Sequence, residues 1–169
     1  MRKIVTDNPK KERFSVKDFD VYGARFCIIS ARFNEDICNN LVAAARKTLR
    51  DFGIRDSDIE LLQVPGAFEL PIAAQRVSKR AMEGEYDAII AVATIIRGGT
   101  PHFEFVSGAC TDGLNRVSLD SSIPIGFCVL TTDDAKQAAD RSGDNENNKG
   151  REAALATLEM VSLFRQLNT

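Results

Sequence analysis

A run of eleven largely apolar residues, YDAIIAVATII at positions 86–96, constrains the fold of this chain more than any other feature. A strand buried on both faces of a parallel sheet has such a continuous run, whereas a strand with one solvent-exposed face alternates. Three shorter apolar segments predict further buried strands, at residues 25–30, 59–64 and 123–130. The sequence therefore predicts a four-stranded sheet with the segment 86–96 at its centre.

A helical segment follows each predicted strand, which indicates a parallel sheet with helices on both faces. Apolar spacing and helix-boundary residues place helices at residues 36–52, 69–83, 134–141 and 149–167, with another after residue 100. Thr100 is predicted to be the N-cap of that helix and Pro101 its first residue. The predicted fold class is a three-layer α/β/α domain.

The last predicted helix carries the segment AALATLEMVSLF, which is apolar around most of its circumference. Such a helix needs cover on more than one side. The sequence therefore predicts a homo-oligomer, and a monomer whose own chain covers the helix is the alternative.

The length of 169 residues indicates one domain. Residues 1–20 are polar and basic, which predicts a flexible N-terminal arm ahead of a single domain at residues 21–169. No segment has the apolar length of a signal-peptide core or of a membrane span. We therefore expect a cytoplasmic protein.

Charge and the cysteine and histidine content exclude several functions. The formal net charge of −2 provides no broad cationic surface for nucleic acid or an anionic membrane. Three of the four cysteines, Cys27, Cys110 and Cys128, lie in apolar segments, which is typical of buried reduced thiols. Since there is one histidine and no His/Cys cluster, we expect no metal site.

Polar residues gather where the predicted strands end, and ligands of open parallel sheets bind beyond the carboxyl ends of the strands. The stretches are Arg32-Phe33-Asn34, Pro65-Gly66-Ala67-Phe68-Glu69, Arg97-Gly98-Gly99-Thr100-Pro101-His102 and Thr131-Thr132-Asp133. This edge of the sheet is the predicted ligand site.

Two residues of the third stretch suggest chemistry. The glycines before Thr100 open a helix, where free N–H groups and the helix dipole favour a phosphate; an ordinary capped turn is the alternative. His102 is the side chain whose ordinary pKa lies nearest neutrality, which suits proton exchange with such a ligand; a surface or structural role is the alternative.

The other candidates are also ambiguous from the residues alone. Phe33 and Phe68 suit stacking on a planar heterocycle, but a Phe beside a strand is more often part of the core. Glu69 either stabilises a helix start or accepts hydrogen bonds from ligand hydroxyls. The cations that suit a phosphate, each otherwise a solvated surface charge, are Arg97, Arg141 and Lys149. The pair Asp133-Asp134 is predicted to cap a short helix.

Several motifs together resemble the 6,7-dimethyl-8-ribityllumazine synthase family, which catalyses the penultimate step of riboflavin biosynthesis. They are RFN at 32–34, VPGAFELP at 64–71, YDAII at 86–90, IRGGTPHFE at 96–104 and NKG at 148–150. They occur in the order and spacing of the family from about residue 24 to residue 164. VPGAFELP and IRGGTPHFE together are highly specific.

The resemblance implies a flavodoxin-like sheet, pentamers or multiples of pentamers, and active sites between neighbouring subunits. The implied reaction has two small-molecule substrates, 5-amino-6-(D-ribitylamino)uracil and 3,4-dihydroxy-2-butanone 4-phosphate, and releases phosphate and water. Its imine formation, phosphate elimination and ring closure require proton transfer but no metal or redox cofactor.

The resemblance also implies a role for each matching residue. Those implied to hold the pyrimidine and the ribityl chain are Phe33, Ala67, Phe68, Glu69, Thr94, Ile95, Ile96 and Phe127. Those implied to hold the phosphate are Gly99, Thr100, Arg141 and Lys149. His102 is implied to move protons, and Phe127 and Arg141 to come from the adjacent subunit.

One departure from the family leaves the assembly open. The loop at residues 143–148 is more acidic than the glycine- and lysine-containing version associated with sixty-subunit shells. Its length shows no obvious insertion, so a pentamer, a decamer and an icosahedral shell are all open. Three other functions also stand: an archaeal-type riboflavin synthase, a flavin- or lumazine-binding protein or shell component without catalysis, and a receiver-like signalling domain. A phosphate loop with Arg141 argues against the first, His102 with Arg141 against the second, and Arg32 in place of an acidic residue against the third.

Overall fold

A computed structural model describes residues 18–168. The strands are β1 (Phe26–Ala31), β2 (Ile59–Val64), β3 (Ala88–Ile96) and β4 (Ile125–Thr132). The α-helices of this part of the chain are α1 (Glu35–Asp51), α2 (Leu70–Met82), α3 (His102–Ser121), α4 (Ala135–Ser142) and α5 (Lys149–Leu167). Short 3₁₀ turns precede β2, at Asp56–Asp58, and α2, at Ala67–Glu69. Most of the predicted N-terminal arm, residues 1–17, lies outside the described residues.

The four strands form one parallel sheet in the order β2-β1-β3-β4, which confirms the predicted fold class. The two central strands are buried along their length: every residue of β1 and all but Ile96 of β3. This continuous burial arises because helices cover both faces of the sheet, as the unbroken apolar run at 86–96 predicts. The arrangement is the flavodoxin-like one that the family resemblance implies.

Alternate residues of each strand enter two separate cores. Ile90 and Val92 face one side, where they pack with apolar residues of α1, α4 and α5. Ile89 and Ala91 face the other side and pack with α2 and α3. The helices are thus divided three and two between the faces.

Two glycines let helices approach closely. A Cβ on Gly150, in the first turn of α5, would lie 2.1 Å from the carbonyl oxygen of Leu41 in α1. A Cβ on Gly113 in α3 would lie 2.6 Å from Cβ of Pro71 in α2. Neither contact leaves room for a larger side chain, so both glycines are required by packing.

Arg165, near the end of α5, joins the two ends of the described chain at the amino end of the sheet. Its guanidinium donates to the carbonyl of Tyr22 at 3.0 Å and forms ion pairs with Asp20 and Asp87 at 3.4 Å. The backbone N–H of Asp20 donates to Oγ of Ser162, also in α5, at 2.9 Å. Because Asp87 directly precedes β3, this network lies opposite the carboxyl ends of the strands.

Several predicted boundaries are wrong by one or two residues, and β3 begins at Ala88 instead of residue 86. Thr100 is not an N-cap: α3 begins at His102 with Pro101 as its N-cap residue, and no side chain caps it. The ψ of Pro101 is 9°, outside the helical range, so the helix starts one residue later than predicted. Strand β4 begins at Ile125 because Pro124 has no N–H to donate, and it pairs with β3 as far as Thr132.

All four cysteines are buried and free, which confirms the prediction for three of them and adds Cys38. Burial raises the pKa of the Cys128 thiol to about 12 and that of Cys110 to about 11. Within residues 18–168 there is no helix long and apolar enough to cross a membrane. The same residues include no group of three or more His, Cys, Asp and Glu side chains placed to hold a metal ion.

Candidate active site

The loop after β1 is held by hydrogen bonds from two neighbouring strand ends. The N–H of Arg32 donates to the carbonyl of Val64 at 2.8 Å. Asn34 has the left-handed conformation, with φ 57° and ψ 47°, and its Nδ2 donates to the carbonyl of Thr94 at 2.8 Å. Asparagine tolerates this conformation better than most residues, which permits the sharp turn from strand into helix α1.

This turn projects Phe33 into solvent. Its side chain is 70% exposed, and Phe68 in the turn after β2 is 62% exposed. Residue statistics favour a core position for both rings, and the structure shows that this interpretation is wrong. Two aromatic rings exposed at adjacent strand ends form a surface on which a planar ring can stack.

The turn Ala67–Glu69 places a carboxylate beside these rings. Ala67 is buried, while Glu69 is half-buried, and its Oε2 would lie 3.3 Å from a Cβ on Gly66. Glu69 is the N-cap residue of α2, yet its side chain accepts no capping hydrogen bond. Its oxygens are therefore not used as a cap, and a ligand hydroxyl is a suitable donor to them.

Strand β3 extends beyond its neighbour β1. Val92 is the last residue of β3 that pairs with β1, whereas β3 continues to Ile96. The side chains of Thr94 and Ile95 are buried. What residues 94–96 offer a ligand is therefore chiefly backbone N–H and C=O groups on the side of β3 that β1 leaves uncovered, where the carbonyl of Thr94 already accepts from Asn34.

The loop from β3 to α3 is open to solvent. A Cβ on Gly98 or Gly99 would meet nothing within 4 Å, and Thr100 is exposed. His102, the first residue of α3, is exposed as well. The loop thus presents a helix N-terminus and an imidazole at the same edge of the sheet as Phe33 and Phe68. We call the loops and turns at the carboxyl ends of β1, β2 and β3 the rim.

Arg97, one of the three cations that suit a phosphate in the sequence, has other partners in the structure. Its guanidinium pairs with Glu104 in α3 and with Asp133 after β4, the latter at 3.3 Å. The hydrogen bond from Arg97 lowers the pKa of the Glu104 carboxyl. Two carboxylates compensate one cation here, so Arg97 contributes no uncompensated positive charge to the rim.

The remaining predicted residues lie elsewhere, in a groove of about 390 Å³ along the free edge of β4. We call this the edge groove; its lining includes Phe127, Thr131, Arg141, Lys149, Glu152 and Ala156. Arg141 donates to the carbonyl of Gln137 at 3.0 Å and has no carboxylate partner within residues 18–168. Lys149 pairs with Glu152 at 2.5 Å.

Phe127 and the rim stay apart within one chain. Phe127 precedes Thr132, the last residue of β4, by five positions, which corresponds to about 16 Å along a strand. None of the predicted rim residues lines the edge groove. The structure therefore gathers Phe33, Ala67, Phe68, Glu69, Thr94, Ile95, Ile96, Gly99, Thr100 and His102 at the rim and leaves Phe127, Arg141 and Lys149 in the groove.

Residues 23–165 match the family described as 6,7-dimethyl-8-ribityllumazine synthase. The chain belongs to this family. Lumazine synthases are transferases of riboflavin biosynthesis, and they condense 5-amino-6-(D-ribitylamino)uracil with 3,4-dihydroxy-2-butanone 4-phosphate. The lumazine synthase match covers every rim residue and every predicted residue of the edge groove.

Residue patterns alone missed the contribution of three residues to this candidate site. Asn34 sets the direction of Phe33, and its contact with Thr94 spans 60 positions. Glu104 and Asp133 compensate Arg97. The sequence predicts that Asp133 shares in capping α4, but Asp134 is the N-cap residue and accepts from the N–H of Gln137. The one available signal was an asparagine between a strand and a helix, a position that favours left-handed backbone.

Proposed function

We propose that each lumazine synthase active site consists of the rim of one chain and the edge groove of an adjoining chain. The observation that supports this most directly is that Arg141 and Phe127 line a groove that none of the predicted rim residues lines. This cation and this aromatic ring lie apart from the other predicted substrate-binding residues of their own chain, so they are suited to complete the site of a neighbouring chain.

In this site the rim holds the pyrimidine and the ribityl chain. Phe33 stacks on the ring, and Phe127 of the adjoining chain closes the pocket from the other side. The backbone groups of residues 94–96 hydrogen bond to the edge of the pyrimidine. Ala67 and Phe68 contact the ring and the start of the ribityl chain, and Glu69 accepts hydrogen bonds from the ribityl hydroxyls.

The phosphate of the second substrate lies against the loop before α3. Gly99 and Thr100 bring backbone N–H groups and the helix dipole close to it, and glycine lets the anion approach. Arg141 adds a guanidinium with no competing carboxylate within residues 18–168. Lys149, from the same groove, lies near the phosphate, and its charge is partly compensated by Glu152.

His102 moves the protons. The primary amine of the pyrimidine attacks the ketone and one water is lost to form an imine. Phosphate then leaves by elimination, and the ribityl-bearing amine closes the ring with loss of a second water. Positioning of an amine beside a ketone contributes much of the rate. Proton transfer by His102 adds a factor of about 10²–10⁴.

Apolar side chains on two helix surfaces support association of chains. Met160, Leu163 and Leu167 are exposed on α5, and Phe105 and Leu119 on α3. Surfaces of this kind are typical of protein–protein interfaces. We propose a homopentamer or a multiple of pentamers in the cytoplasm, acting on two small molecules without a cofactor, with no nucleic acid or membrane partner.

The test is turnover of the purified chain with both substrates, followed by lumazine fluorescence. Arg141→Ala is expected to raise the KM for the butanone phosphate, and His102→Ala to lower kcat. Arg76→Ala, at an exposed position of α2 outside both halves of the site, is the control. Product no greater than without enzyme, from a folded oligomer, would contradict the synthase and favour a binding protein, to be tested with riboflavin and lumazine as ligands.

A mixing experiment tests the shared site itself. His102→Ala and Arg141→Ala chains are unfolded together, refolded at equal amounts and assayed. If each site takes its rim and its groove from different chains, about a quarter of the sites contain both intact halves. Activity no higher than the mean of the two separate variants would show that each chain carries a complete site.

A further inference from the structure

Arg97 joins three elements at the carboxyl end of the sheet, namely β3, α3 and the turn after β4. Arg97 follows β3 directly, and its backbone N–H donates to the carbonyl of Thr132 at 2.8 Å. Its guanidinium contacts Glu104, in the first turn of α3, and Asp133, in the turn that leads into α4. The end of β3, the start of α3 and the end of β4 are therefore connected through one residue.

A ring adds to these two ion pairs. The guanidinium carbon of Arg97 lies 4.2 Å from the centre of the Phe103 ring, a cation–π distance. Phe103 directly follows His102 in α3. A planar guanidinium with five fixed N–H donors suits two carboxylates and a ring face at once, whereas an ammonium group does not.

The charges of Glu104 and Asp133 bear on how well a phosphate binds at the start of α3. Glu104 lies two positions after His102, and Asp133 is placed within reach of the same arginine. Both side chains are more than half exposed. Without Arg97, both negative charges would be uncompensated close to the start of α3, and they would weaken the binding of a phosphate there.

We propose that Arg97 is a positioning residue for the phosphate: by pairing Glu104 and Asp133, it keeps their charges away from the loop at Gly99 and Thr100. Arg97 does not touch the phosphate. This inference rests on the proposed phosphate site, and it assigns the specificity of that site for an anion partly to a residue outside it.

The kinetic signature is a change for one substrate only. Arg97→Gln is expected to raise the KM for the butanone phosphate about tenfold, because two exposed charges each alter anion binding by a factor of a few. The KM for the pyrimidine is expected to change less than twofold. The inhibition constant of inorganic phosphate, which does not depend on kcat, is expected to rise by a similar factor.

Arg80→Gln is the matched control. Arg80 likewise pairs two carboxylates, Glu60 and Glu85, and lies over a ring, Tyr86, at 5.1 Å. Its side chain is 44% exposed, against 42% for Arg97. Since Tyr86 precedes β3, this network lies at the amino end of the sheet, and its loss is expected to leave both KM values unchanged.

Two further variants separate charge from damage to the fold. Removing both acidic charges from the Arg97→Gln chain, with Glu104→Gln and Asp133→Asn, is expected to restore most of the phosphate affinity. The same two substitutions with Arg97 intact are expected to lower the KM for the butanone phosphate below that of the unaltered chain. General damage to the fold would raise that KM instead. This double variant therefore tests the role of the two charges even if Arg97→Gln fails to fold.

The outcomes are distinct. Equal rises in both KM values for Arg97→Gln, no rise for the phosphate substrate, or no recovery in the triple variant would overturn the proposal. Arg141→Ala is measured alongside. If it weakens phosphate inhibition while Arg97→Gln does not, the inference fails and the site stands; if neither weakens it, the proposed phosphate site is wrong.

Discussion

Gly150→Ala tests the packing that holds the start of α5, and with it Lys149, against the rest of the chain. The new Cβ would lie 2.1 Å from the carbonyl oxygen of Leu41 and 2.8 Å from its carbonyl carbon. These are backbone atoms of α1, so no side-chain rotation relieves the overlap. The two helices must separate by about 1 Å to reach ordinary contact distance.

The expected loss follows from this geometry. Overpacking of a well-packed interior costs about 1–3 kcal/mol, and an obstructing backbone places this site at the upper end. Alanine has a higher helix propensity than glycine by about 1 kcal/mol, which offsets part of the cost. We expect the free energy of unfolding to fall by about 2 kcal/mol, and the melting temperature by about 4–8 °C for a domain of this size.

The assay is urea unfolding followed by circular dichroism, at two protein concentrations because association shifts the midpoint. Gly108→Ala is the control, since it is also a helical glycine but a Cβ there meets nothing within 4 Å. It is expected to stabilise the chain by up to about 1 kcal/mol. If both variants have raised midpoints with unchanged slopes, the tight contact between α1 and α5 is refuted.

Three further predictions concern the site and the thiols. Asn34→Ala loses both the left-handed preference and the hydrogen bond to Thr94. In steady-state kinetics the KM for the pyrimidine is expected to rise about fivefold while the KM for the butanone phosphate stays unchanged, and equal rises in both KM values would contradict this. Glu152→Gln removes the partner of Lys149 and is expected to lower the phosphate KM a few-fold; a higher KM would mean that Glu152 holds the lysine in place. The buried thiols are expected not to react with a disulfide reagent at pH 8 without urea. Because the folded pKa of Cys128 is raised to about 12 from about 9, its contribution to stability is complete below pH 9 and is lost as the pH rises toward 12. Urea titrations between pH 8 and pH 10.5 check this, and a flat stability profile would count against it.

The strands and helices could be predicted because their signals are local. The run at 86–96 needs cover on two faces, and Pro65-Gly66 ends β2 at the predicted residue. The last helix begins at Lys149 as predicted because Asn148 accepts hydrogen bonds from the N–H groups of Gly150 and Arg151. In each case a few neighbouring residues decide the outcome.

The exposure of Phe127 could not be predicted in this way. It lies inside a strand whose other residues are mostly buried, and it is 47% exposed because β4 forms an edge of the sheet. Strand order is a property of the whole chain, and no local pattern encodes it. The pairing of Arg97 with Asp133 spans 36 positions and depends on the same strand order.

The contacts of Arg165 make the chain suitable for circular permutation. Arg165 brings residues 20–22 and the end of α5 together at the amino end of the sheet, away from the rim. A short linker from residue 168 to residue 18 would therefore close the backbone into a circle, and new ends could open in the exposed stretch 144–147. A protein fused at either end of the described chain would emerge on the side opposite the substrates and leave their approach unobstructed.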